Sequence, residues 1–526
     1  MLKNKIRELI YKAIKDTFKV DNVEFNVESA DPKFGDYSTN AALLLSKRVD
    51  EKPIDIATRI TEQLNSNELF DKITVAKPGF INFRIALPYL QNQIFKINTA
   101  GQKYGDSDLG NDLKINVEFI SANPTGPLTL GNGRGGYAGD CSVNVLESFG
   151  AKVEREYYIN DRGVQIVALG HSVLKDSEAV YKGAYIDEIA SKITSKTAEE
   201  AGSQAVTILM EESIKKTISK MGIKFDRWFT ETDLHRGPVE EILGNLKSDK
   251  LTYEKDGALW LKTTEFGDDK DRVLITKEGE YTYFASDIAY HWDKIRRGYN
   301  ILIDFWGADH HGYVGRMQAA VEILKKEEDW SGELKIIIAQ LVRLMSKGKE
   351  VKMSKRAGNF VTLDELIDEV GADVTRFFFL ERAMNTHMDF DLDLAKEKSE
   401  KNPVYYIQYA YARIASILAK FKIQNAKVIM TMQNVKLIKE EPELSLIKEL
   451  IKLPDIVIET AEDYQVQRLP YYAIELATKF HNFYENCRVI SEDENLTAAR
   501  IELIKATQVV LKKTLDLMGI SAPEKM

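Results

Sequence analysis

The chain has 526 residues, 44% of them hydrophobic and 29% charged, with 31 Gly, 12 Pro, two Cys, seven His and a formal net charge of −9. This is globular composition, long enough for about three domains, and it lacks the roughly 18 consecutive apolar residues that cross a bilayer. Two cysteines, Cys141 and Cys487, supply neither a disulfide framework nor a structural zinc site, and the acidic balance excludes a histone-like polyanion binder.

MLKNKIRELIYKAIKDTF mixes charges into its apolar spacing, so it predicts an amphipathic helix of a cytoplasmic protein and not a secretory signal. VDNVEFNVES and GFINFRIA read as strands, with a helix over residues 40–49, giving an α+β unit over 1–88. Residues 89–110 read as a polar connector ending in the turn formers GQKYGDSDLGND. From 111 the texture changes: KINVEFI, a Pro/Gly loop, a helix from about Gly133 to Phe149 and the strand KVEREYYI make a βαβ unit. NILIDFWGAD leads into the helix HHGYVGRMQAAVEILKK, and LKIIIAQLVRL is a third buried strand. The expected fold of 111–385 is therefore an α/β domain on a parallel sheet, with a charged insertion over roughly 175–275. After Pro403 three long segments show helical spacing and no strand, so 400–526 is an all-α bundle. From Pro403 to the end 16 Lys and Arg balance 16 Asp and Glu, leaving the whole net charge on the first 402 residues.

Two motifs carry chemistry. SANPTGPLTLGNGRGG, residues 121–136, runs from a strand end to a helix start, where free backbone amides attract phosphate and glycines admit a ligand. Gly131, Gly133 and Gly136 spell G-x-G-x-x-G, and Glu154 follows near the place of a ribose-binding acid. A loop of about ten residues before the glycines breaks the tight turn that a dinucleotide fingerprint needs. GKEVKMSKRAGNFVT, residues 348–362, sets Lys352 and Lys355 around Met353 and Ser354 in a loop. Lysine is a mobile point charge suited to phosphoryl or adenylyl transfer, although alone such a loop is more often an inert solvated surface.

Together, in this order on one α/β domain, the motifs resemble those of class I aminoacyl-tRNA synthetases. Thr129-Leu130-Gly131-Asn132 is similar to the HIGH signature, and Lys352-Met353-Ser354-Lys355-Arg356 to KMSKS within the loop 348–360. VEFISANPTGPL, WGADHHGYVGRMQAA, KMSKRAGNFVTLDELIDEVG, FDLDLAKEKSEKNPVYYIQYAYARI, FGDYSTNAALLLSK and FHNFYENCRV narrow the resemblance to arginyl-tRNA synthetases of the bacterial type. It spans essentially the full chain.

The resemblance implies a Rossmann-like catalytic domain that activates L-arginine with ATP and nucleotide-bound Mg²⁺, then transfers arginyl to the terminal adenosine of tRNA(Arg). It implies no structural zinc, no membrane partner, a cytoplasmic location and a monomer. The amino-terminal unit would contact the outer corner of the tRNA and the bundle its anticodon. Thr129, Asn132, Lys352 and Lys355 would act in catalysis, and Pro127, Gly131, Gly133, His310, His311, Met353 and Ser354 would hold ATP. Glu118, Ser121, Asn123, Tyr283, Asp287 and Asp309 would hold arginine, whose rigid guanidinium fork requires acids. Thr129 and Asn132 replace both HIGH histidines, which keeps hydrogen-bond donors and removes any imidazolium. Tyr405, Tyr409 and Arg413 would touch tRNA. Of the tyrosines Tyr405, Tyr406, Tyr409 and Tyr411, about two in three are expected in the core, as aromatic stripes usually are. His171, His235, His291, His387 and His481 lack motif support and read as structural or surface residues.

Overall fold

The computed structural model describes residues 1–351, 362–424 and 434–526. Leu2, Ile6, Ile10, Ala13 and Ile14, at three- and four-residue spacing, bury one face of the first helix, Leu2–Phe18. That helix and the helices Ala41–Val49 and Pro53–Leu64 accompany a four-stranded antiparallel sheet in the order Val27–Ser29, Tyr37–Thr39, Phe80–Ile85, Phe70–Ala76. Only the end of VDNVEFNVES is strand.

The polar connector is also a correction. Leu87–Ala100 is a helix, and its polar residues face protein: Gln91 donates to the Ile438 carbonyl at 2.8 Å and Asn98 to Glu502 at 2.6 Å. Hydropathy reads such a face as solvent-exposed, but the NH₂ groups of these amides donate into the carboxyl-terminal region.

The central sheet holds five strands: β1 (Lys114–Glu118), β2 (Lys152–Ile159), β3 (Arg227–Thr230), β4 (Ile301–Gly307) and β5 (Glu333–Ala339). All neighbours are parallel, in the order β5-β4-β1-β2-β3. The chain builds outward from β1 to β3 on one side, then returns to lay β4 and β5 on the other. Strand order thus reverses between β1 and β4, the place where open α/β sheets bind ligands. Helix α1 (Leu130–Phe149) follows β1, is buried along most of its length, and ends at Gly150 with φ of 107°. Helix α2 (Tyr283–Arg296) precedes β4.

The segment expected as an insertion supplies β3 to the sheet edge and also carries a small antiparallel sheet, Thr252–Lys255, Ala258–Leu261 and Arg272–Ile275. LKIIIAQLVRL, expected as one strand, is two. It breaks after Ala339, and Val342–Ser346 pairs with Met388–Asp391 in another sheet. The break has a tertiary cause: buried Arg134 of α1 donates to the carbonyls of Gln340 at 2.8 Å and Ala383 at 2.7 Å.

The carboxyl-terminal region is helical, with Pro403–Gln424, Glu441–Leu450, Leu453–Asp463, Arg468–Asn486 and Glu494–Met518. Buried Arg376 joins it to helix α1. Its guanidinium pairs with Asp140 of α1 and donates to the carbonyls of Met518 at 2.5 Å and Met221 at 3.1 Å.

Candidate active site

A cleft of about 690 Å³ opens at the carboxyl ends of β1 and β4, lined by residues that include Ser121, Asn123, Pro127, Thr129, Asn132, Asp309 and His310. A second cleft of about 350 Å³ shares Ile120, Thr129, Asn132 and Asp309 with it and extends to Gly131 and the end of β5. Both meet the first turn of α1. Thr129 is the N-cap there, and its amide and hydroxyl both donate to Asn132 Oδ1 at 2.9 Å. This turns the Asn132 carbonyl inward and leaves its NH₂ as the outward donor. A helix start with such donors suits phosphate.

The glycines divide by role. A Cβ on Gly131 would meet only Thr129 Oγ1 at 3.6 Å, so its face is open to the cleft. A Cβ on Gly133 would lie 2.8 Å from Leu363, so that glycine is required by helix packing. Just before the cleft, Ile120 and Ser121 have φ of 67° and 34°. For a β-branched residue this is a strained backbone, and it lies where the chain leaves β1 for the site. Ser121 Oγ accepts the Tyr158 amide at 3.0 Å, which turns its hydroxyl toward β2.

The residues expected around a guanidinium lie on α2. Tyr283, in the first turn, is 50% exposed, and Asp287, one turn later, accepts the Tyr313 hydroxyl at 2.5 Å. Burial pushes the Asp287 carboxyl up, against the pull of that hydrogen bond. Three further groups gather here that motif reading missed. Glu231, at the first turn after β3, is buried, and its carboxyl is pushed up to about 7, first by burial, with the charges of Asp287 and Asp161 adding. Asp161 accepts the Thr232 amide at 2.9 Å. Tyr158 of β2 lies among them: burial, then the charges of Glu231, Asp287, Glu118 and Asp161, hold its phenol far above the usual range. An aromatic side chain with several carboxylates near it suits a cation. WFTETDL and YINDRG carry these acids on separate segments, so no spacing rule could have joined them.

Glu118 ends β1 and pairs with Lys294 of α2 at 2.6 Å. His310 is exposed, with Nε2 3.5 Å from Asp309, and His311 is exposed beyond the cleft wall. His235 lies 3.2 Å from Ser286 and 3.6 Å from Glu231, while His291 is buried between Asp304 and the Asp287 carbonyl. Lys352, Met353, Ser354 and Lys355 lie outside the described residues.

In the bundle, Tyr411 alone of the four tyrosines is buried; Tyr405 and Tyr406 are half-buried and Tyr409 is exposed. That corrects the expectation of a mostly buried stripe. The Arg413 guanidinium stands 5.2 Å from the Tyr409 ring and 5.4 Å from Tyr484, and it donates to the Tyr409 hydroxyl. Two exposed rings with an arginine between them form a surface suited to unpaired bases.

Comparison with known proteins agrees with this geometry. Residues 4–85 match the arginyl tRNA synthetase N terminal domain, 184–393 the class I (R) tRNA synthetase catalytic domain, and 407–526 the DALR anticodon binding domain. The chain is 40% identical to the arginine–tRNA ligase of Aquifex aeolicus over 100% of both chains. It is 44% identical to that of Listeria welshimeri over 94% of this chain and 93% of the relative. The solved arginyl-tRNA synthetase of Thermus thermophilus shares the fold, with a TM-score of 0.78 over 100% of each chain at 21% identity. With three matched regions in the family's order and full-length relatives well above 30% identity, the chain belongs to the arginyl-tRNA synthetase family.

Proposed function

We propose that the chain is an arginine–tRNA ligase that joins L-arginine to ATP in the cleft at the β1–β4 switch point, then passes arginyl to tRNA. The observation that carries this reading is the ring of Asp287, Glu231 and Asp161 around Tyr158, close to a helix start suited to phosphate. An arginine carboxylate oxygen attacks the α-phosphorus of ATP, and the bond to the bridging oxygen breaks, releasing pyrophosphate. The 2′-hydroxyl of the terminal adenosine then attacks the arginyl carbonyl, and AMP leaves. Neither step needs a protein nucleophile; positioning and charge stabilisation suffice.

Tyr283, Asp287, Glu231 and Asp161 hold the guanidinium, while Glu118, Ser121, Asn123 and Asp309 hold the amino-acid end. Asn132, Gly131, Pro127 and the α1 amides hold phosphate, Thr129 orients Asn132, and His310 and His311 border the nucleotide. Lys352 and Lys355, with Met353 and Ser354, meet the leaving pyrophosphate. Apart from Asp309, the groups lining the clefts are chiefly hydroxyl, amide and backbone donors, which suit phosphate oxygens better than a protein-held cation, so Mg²⁺ would be carried by the nucleotide and would neutralise its charge. Residues 1–88 meet the outer part of the tRNA, 111–385 bind its acceptor end, and 400–526, with Tyr405, Tyr409 and Arg413, its anticodon. We place the protein in the cytoplasm as a monomer; among the described residues no helix is long and apolar enough to cross a membrane.

ATP–pyrophosphate exchange tests the reading, run with arginine, with lysine, and with or without tRNA(Arg). Exchange should require arginine, and lysine should not replace it. Exchange independent of the amino acid, or none with tRNA at saturation, would refute it.

A further inference from the structure

Asp287, His291 and Lys294 share one face of α2, which packs over the carboxyl ends of β1 and β4. Parallel pairing sets Glu118 of β1 directly beside Asp304 of β4. Two buried carboxylates on neighbouring strands repel unless a cation lies between them. Lys294 is that cation. Its side chain is 0% exposed; Nζ donates to Glu118 Oε2 at 2.6 Å and to Asp304 Oδ1 at 2.9 Å, and it lies 4.3 Å from the Tyr290 ring centroid.

The other Asp304 oxygen takes His291 Nε2 at 2.9 Å, while His291 Nδ1 donates to the Asp287 carbonyl at 2.8 Å. Both partners of the ring are acceptors, so the imidazole carries two protons and a positive charge. Glu118, Asp304, Lys294 and His291 therefore form a closed set of two anions and two cations. On the opposite side, Glu156 of β2, in register with Glu118, is matched by Arg297 and by the Tyr290 hydroxyl at 2.7 Å. Tyr158 of β2 completes the titratable groups near Glu118.

We propose that Lys294 is a positioning residue for the amino-acid end of the arginine site. It fixes Glu118 Oε2 and keeps the carboxylate charged, so that Oε1 is presented to the α-ammonium of arginine. This rests on the assignment of Glu118 to arginine made above. Burial drives the Glu118 carboxyl upward, and the Lys294 charge is the largest influence against it. Without Lys294, Glu118 sits in a dry site beside Asp304 with its strongest opposing charge gone, and it holds a proton to higher pH than in the parent. A protonated Glu118 cannot pair with an ammonium.

The test is ATP–pyrophosphate exchange by the full chain at saturating tRNA, with KM for arginine and for ATP followed from about pH 6 to 8.5. Lys294→Met should raise the arginine KM by about tenfold or more at neutral pH, with affinity recovering as pH rises, while the ATP KM moves less than about threefold. Lys294→Arg retains the charge but displaces the bond to Oε2. It should raise the arginine KM without the new pH dependence. Lys294→Met combined with Glu118→Gln should be no worse than Glu118→Gln alone and should show no pH dependence beyond that of the parent.

Arginine KM values within twofold of the parent in both Lys294 variants would overturn the proposal. So would arginine and ATP KM rising together at every pH, which is what a purely structural lysine produces. If Lys294→Met does not fold, the Lys294→Arg arm decides. Glu118→Gln with an unchanged arginine KM would instead overturn the assignment of Glu118, and the proposal with it.

Discussion

Asp287→Asn is the most direct probe of arginine recognition, since it removes a charge and nearly preserves shape. Asp287 accepts the Tyr313 hydroxyl at 2.5 Å on the face that also meets Glu231 and Asp161. Losing one partner of a desolvated charge pair costs about 2–5 kcal/mol. Compensation is built into this site. Glu231, pushed up to about 7 partly by the Asp287 charge, ionises more readily once that charge is gone. The loss should therefore fall at the lower end, about 2–3 kcal/mol, or roughly 30- to 150-fold in arginine KM. The ATP KM should change less than about threefold, because the nucleotide end is built from α1 and not from α2. Exchange kinetics at saturating tRNA, with arginine and ATP titrated separately, give both values. An arginine KM within twofold of the parent, or an ATP KM rising in parallel, would refute the assignment.

Glu231 should give arginine binding a pH dependence. Guanidinium pairs with the ionised form, so arginine KM should fall as pH rises from about 6 to 8, and Glu231→Gln should flatten that profile. The same upward shift means the native state keeps a proton that the unfolded chain has already lost. Stability is thus unaffected well below the ordinary carboxyl range and declines as pH climbs through about 7. Glu231→Gln protein should melt above the parent at pH 8, the two converging near pH 4. Gly133→Ala should lose about 1–3 kcal/mol of stability by overpacking Leu363, whereas Gly131→Ala should fold normally and raise the ATP KM; thermal melts and nucleotide titrations separate them. Equal effects at both glycines would remove Gly131 from the nucleotide site. Lys355→Ala should slow single-turnover adenylation about 100-fold with little change in ATP affinity, and Lys355→Arg should recover only part. A Lys355→Ala rate within threefold of the parent would exclude that lysine from the reaction.

What could be read from the residues follows the range of the forces involved. Apolar period and turn chemistry are local, so KINVEFI, KVEREYYI, NILIDFWGAD and the three long bundle helices emerged directly. Features set by distant partners did not. Leu87–Ala100 hides as a helix because Gln91 and Asn98 donate to backbone and side chains far along the chain. The break at Gln340 depends on Arg134, a residue of α1. The proposed arginine pocket is split in the same way: Tyr283 and Asp287 lie four residues apart on one helix and carry a motif, whereas Glu231, opening a short helix, and Asp161, in a loop, come from separate segments. The tyrosines of Pro403–Gln424 mislead because one residue type serves both the core, at Tyr411, and the surface, at Tyr409.

Arg376 has a mechanical consequence. Its planar guanidinium ties the last turn of Glu494–Met518, through the Met518 carbonyl, to Asp140 midway along α1 and to the Met221 carbonyl. Unpairing such a buried charge costs about 3–5 kcal/mol, far above thermal energy, so the junction is stiff. Helix α1 begins at Thr129 in the cleft, so a torque on the bundle is delivered to the helix whose first turn lines it. Any force that tilts the bundle is therefore passed through a rigid strut to the start of α1.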